Sequence, residues 1–72
     1  MNGLIKLKEH VIHTSLQVSV GIDLRKKLPL FRSKDIAFVL KEHIEESGSV
    51  KLFVFTSTGN LGWVNSRDVE FI

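Results

Sequence analysis

VKLFVFTSTGNLGWV, residues 50–64, is the stretch on which the fold turns. Val50 to Thr56 is rich in β-branched and aromatic residues that alternate along a pleated strand. Gly59 and Asn60 follow, the residue types that most readily adopt positive φ, and the chain returns as LGWV. The stretch therefore reads as a β-hairpin. Gly59 is expected at the turn position that needs positive φ, so that Gly59→Val costs about 1 kcal/mol or more.

Downstream, NSRD (Asn65 to Asp68) is a short polar bridge into a final strand, VEFI. Upstream, DIAFVL carries two periodicities. Ile36, Val39, Leu40, His43 and Ile44 recur at helical spacing, with Ser33 as a cap and Gly48 as a stop, while Ile36, Phe38 and Leu40 alternate like a strand. The strand is the preferred reading, because these residues suit a pleated surface and a helix would leave Phe38 on its polar side. EESGS (Glu45 to Ser49) is then a loop. At the front, LIKLK and LQVSV read as strands separated by HVIHTS, and GIDLRKKLPLFRSK as a long basic loop. The expected core is Leu7, Val18, Ile36, Phe38, Leu40, Leu52, Val54, Val64, Val69 and Phe71.

At 72 residues the chain has room for one domain, residues 1–72, and too little volume for both a core and a deep catalytic cavity. An apolar share of 43% with five Phe and one Trp is globular composition. Without cysteine there is no disulfide framework and no thiolate zinc site. No apolar run is long enough for a signal peptide, so the expectation is a soluble, cytoplasmic chain without a membrane partner. The net charge of +2 is divided unevenly. Residues 1–34 hold seven Lys or Arg against two acids, net +5, and residues 35–72 hold three against six, net −3. An anionic partner is compatible with the first of these halves.

Two segments carry a family likeness. GWVNSRDVEFI (Gly62 to Ile72) resembles the part of the Src homology 3 fold that runs from a glycine and an aromatic, through a one-turn helix, into the last strand. LFRSKDI (Leu30 to Ile36) resembles that family's turn into its second strand. The likeness covers roughly residues 28–72. It implies an all-β, five-stranded, strongly bent antiparallel barrel, with room for a short helix or 3-10 turn. Peptide-binding members have a proline where this chain has Asn65 and a groove tyrosine where it has Asp68, and their alanine-leucine-tyrosine-aspartate-tyrosine motif is replaced by LQVSV. A proline-rich ligand is thus not expected, since only Trp63 is left to line an aromatic groove. TSTGNLGWVNSRDVEFI is closer to bacterial and tailed-phage members, among which small accessory and virion proteins occur. If of phage origin, the chain would reside in host cytoplasm or virion.

The expected function is a non-enzymatic protein-binding module. Trp63 is the leading contact residue, since an aromatic beside Gly62 offers a rigid, broad face; the alternative is that it closes the core. The proposed contact set is Trp63, Arg25, Lys26, Lys27, Phe31, Arg32, Asn65 and Arg67, with the basic loop and the Glu42, Glu45 and Glu46 segment bordering the same face. Arg25, Lys26, Lys27, Arg32 and Lys34 around Phe31 also form a basic stretch with an aromatic within it, which suits phosphates and unstacked bases. Nucleic acid bound at residues 25–34 is the alternative function, and packing of copies into a homo-oligomer a further one. His10, His13 and His43 have no acidic or cysteine partner at ligand spacing, and no GxSxG, GxGxxG or P-loop is present, so neither metal, cofactor nor catalysis is expected.

Overall fold

The computed structural model describes residues 3–17 and 29–72. They form β1 (Leu4–Leu7), β2 (His13–Ser15), β3 (Leu30–Arg32), β4 (Ala37–Ile44), β5 (Val50–Thr56), β6 (Leu61–Asn65) and β7 (Val69–Phe71), with a 3-10 turn at Ser66–Asp68 before β7. One antiparallel sheet has the order β6-β5-β4-β1-β7, and β2 pairs with β3 in a second, two-stranded sheet. The two are joined where Gln17 and Trp63 exchange backbone hydrogen bonds of 3.0 and 2.7 Å. Val18, expected in the core, lies outside the described residues.

The hairpin of residues 50–64 forms as expected, and its turn is used twice. In the β5–β6 connection the Thr56 N–H donates to the Asn60 carbonyl (2.8 Å) and the Gly59 N–H to the Thr56 carbonyl (2.9 Å), with Gly59 at φ +91°. The β4–β5 connection repeats the pattern between Glu45, Gly48 and Ser49, with Gly48 at φ +90°. Both are three-residue hairpin loops that end on a glycine in the conformation L side chains avoid. Gly48 therefore closes a hairpin rather than a helix. DIAFVL is a strand, paired with β5 from Ala37↔Thr56 to Ile44↔Val50.

The faces of that strand are the reverse of those expected. Leu7, Leu52, Val54, Val64 and Val69 are buried, joined by Ile5, Leu16, Phe31 and Ala37. Ile36, Phe38, Leu40 and Phe71 are instead 44, 57, 56 and 56% exposed. Pairing is the cause. Thr56 is driven inward because its hydroxyl accepts the Asn60 N–H (3.0 Å) and bonds the Thr58 hydroxyl (2.9 Å). Its partner Ala37 must then share the inner face, followed by Val39 opposite Val54, which turns Phe38 out opposite Phe55. Phe71 is opposite buried Ile5 but stands on the last residue of the last strand, where little covers it. β2 falls at His13–Ser15, within the HVIHTS segment expected to separate strands; of LQVSV, Leu16 is fully buried, Gln17 forms an isolated bridge to Trp63, and residues 18–20 lie outside the described residues.

Candidate binding face

Inward and outward residues alternate along β4, β5 and β6, so their outer face is a lattice whose rows follow from the pairing. Phe38, Phe55 and Leu61 form one row, Lys41, Phe53 and Trp63 the next, and His43, Lys51 and Asn65 the third. The first row continues across the sheet to Leu4, opposite Phe38 on β1. Beyond β7 it reaches Ile72, whose N–H donates to the Leu4 carbonyl (3.0 Å) and which shares the face of Glu70. β6, β5, β4 and β1 thus each contribute an apolar residue to one outward row, and Ile72 extends it past the end of β7.

Trp63 sits in the middle row, half-buried and facing outward rather than closing the core. Its ring is tilted against Phe53, with centroids 5.1 Å apart, and meets the His43 ring edge-on at 6.3 Å. The inward neighbours are Gly62 and Val64. Between Val39 and Lys41 the β4–β5 ladder slips by one residue, a β-bulge that gives β4 an extra member, Leu40. Bulges re-aim side chains. Here Leu40 and Lys41, adjacent in sequence, both line a shallow hollow completed by Phe53 and Trp63. Lys51, in the third row, reaches Gln17 Oε1 at 3.4 Å and Glu45 Oε1 at 3.7 Å.

The other expected contact residues are divided among several places. Asn65 ends β6 and, with Gln17, Lys51 and Trp63, lines a second hollow towards β2. Arg67 is exposed on the 3-10 turn and borders Gly48, Ser49 and Ser66. Arg32 belongs to a separate depression with Leu30, Lys34, Asp35, Thr58 and Asn60, and its backbone N–H donates to Asp35 Oδ2 (3.0 Å). Phe31, expected among the contact residues, is instead fully buried in the core. On β3 it faces inward, so the basic stretch loses its aromatic. Arg25, Lys26 and Lys27 lie outside the described residues. Phe53, Phe55, Phe38, Leu40, Lys41 and His43 also stand on this outward face and are not among the expected contact residues. The available signal was in VKLFVFT: once Leu52 and Val54 are assigned inward, Phe53 and Phe55 must face out.

Among the described residues no three His, Cys, Asp or Glu side chains are grouped to hold a metal, and no helix is long and apolar enough to cross a membrane. Compared with protein families, with curated proteins and with solved structures, the chain has no match.

Proposed function

We propose that the chain is a non-catalytic binding module, built as a Src homology 3-like barrel, that receives a protein partner on the outward face of β4, β5 and β6. The observation that carries this reading is the outward apolar row Leu61–Phe55–Phe38–Leu4 beside Phe53 and Trp63. A contiguous apolar surface of this kind on a small domain is characteristic of an interaction site, whereas scattered exposed apolar residues are not. The barrel reading is supported by the element order, the 3-10 turn before the last strand, and the Gln17–Trp63 bridge that brings the β2 segment beside β6. The likeness to small phage accessory and virion proteins rests on the closing segment, TSTGNLGWVNSRDVEFI.

Nucleic acid held at residues 25–34 is the weaker reading, because Phe31 is buried and offers no ring for a base to stack on. The test is site-specific photo-crosslinking in the cells that express the protein, with a photo-reactive phenylalanine analogue in place of Phe55 or Leu61 and, as control, of Thr58. The expected result is one crosslinked protein from the first two positions and none from the third. Crosslinks to RNA or DNA, or equal yields at all three positions, would reject the reading; crosslinks to the chain itself would make the face a self-assembly surface.

A further inference from the structure

The outward lattice is apolar at its centre and cationic at its flank. Lys41 stands opposite Phe53 in the middle row, and Lys51 opposite His43 in the third. Lys41 lines the hollow of Leu40, Phe53 and Trp63, and Lys51, its diagonal neighbour on the lattice, lines the adjoining hollow on the other side of Trp63 with Gln17 and Asn65. No carboxylate occupies the three rows on β4, β5 and β6; Glu70, on the same face at β7, is paired with Lys6 (3.4 Å), and among the described residues Lys41 has no ion-pair partner. Lys51 has one ion-pair contact, 3.7 Å to Glu45, besides its 3.4 Å hydrogen bond to Gln17 Oε1. The carboxylates nearest in sequence, Glu42 and Glu46, project from the other face of β4 and from the loop tip.

Resting on the protein-binding reading above, we infer that the partner presents an acidic segment with an apolar anchor. One large apolar side chain fills the hollow of Leu40, Phe53 and Trp63, and carboxylates one or two residues away meet Lys41 and Lys51. The bulge is what makes the hollow, since it adds the Leu40 wall without displacing Lys41 from its place opposite Phe53. Charge complementarity favours an acidic peptide over a polyphosphate chain. A nucleic-acid strand carries one charge per nucleotide and wants a track of cations, whereas this face has two lysines set among leucines and phenylalanines. A peptide with one anchor and one or two acids matches the number and placement of these groups, and a cation beside an apolar pocket gives specificity through unpaired-charge penalties for other ligands.

The experiment is selection from a displayed library of random 12-residue peptides on the full chain, followed by anisotropy titration of the selected peptides. Expected are sequences that place Asp or Glu within about three residues of an aromatic or leucine. Affinity should fall about 3- to 10-fold with Lys41→Gln and further with Lys41→Glu, and should decline with added salt. Lys41 is exposed, and unchanged circular dichroism melts would show that these variants fold. Selected peptides without acid enrichment, or with affinity indifferent to Lys41→Glu, would overturn the charge inference and leave the face reading standing, provided Phe53→Ser still abolishes binding. If Phe53→Ser has no effect, or no peptide is selected, the face reading itself falls. Tighter binding of a 12-nucleotide oligo-dT than of any selected peptide overturns both.

Discussion

Gly62 has no room for a side chain. A Cβ there would lie 2.7 Å from Leu16 Cβ and 3.0 Å from the Gln17 carbonyl oxygen, the backbone that bridges to Trp63. We expect Gly62→Ala to cost about 1–3 kcal/mol, because a backbone segment rather than a flexible side-chain end must move, and thermal unfolding would measure it. Gly48 and Gly59 are different: open space surrounds both, and only their positive φ resists substitution. Gly48→Ala and Gly59→Ala should therefore lower stability by similar amounts, about 1 kcal/mol each. A large inequality between the two melting shifts would show that the loops are not equivalent. The need for glycine at 59 is readable in the sequence, because turn chemistry is local. The need at 62 is not, for the atoms that crowd it lie over forty positions away.

At the scale of elements, strand identity was legible and strand orientation was not. DIAFVL reads as a strand because its residues suit one, and the alternating set Ile36, Phe38 and Leu40 is expected on its inner face. Pairing decides otherwise: the buried Thr56 of the hairpin tip selects Ala37 as its opposite. A mutational contrast follows. Phe31→Ala removes a ring that is fully buried and should cost about 3–5 kcal/mol, enough to unfold most of the population of so small a domain. Phe38→Thr removes an outward ring on a strand that threonine suits, and should cost about 1 kcal/mol or less, the value of a cross-strand pair with Phe55. Chemical denaturation of the two variants separates these outcomes, and a larger loss for Phe38→Thr would mean that the β4 faces are assigned wrongly.

For the whole molecule, the β-rich class and its hairpins could be read from short apolar runs and turn residues. The candidate face could be read only at Trp63, because its other members become neighbours through register across β4, β5 and β6. The double variant Phe38→Thr with Phe55→Thr should accordingly retain most of its thermal stability while losing the crosslinks expected from this face; sedimentation at high concentration should show it no more associated than the unsubstituted chain. The bulge in β4 has one more consequence. On either side of Leu40 the ladder is in phase, Val39 opposite Val54 and Lys41 opposite Phe53, so a chain lacking residue 40 would pair without interruption and keep every other side chain on its present face. By register Leu40 is thus a supernumerary residue, and a one-codon deletion is expected to yield a folded protein whose hollow beside Phe53 and Trp63 has lost one wall.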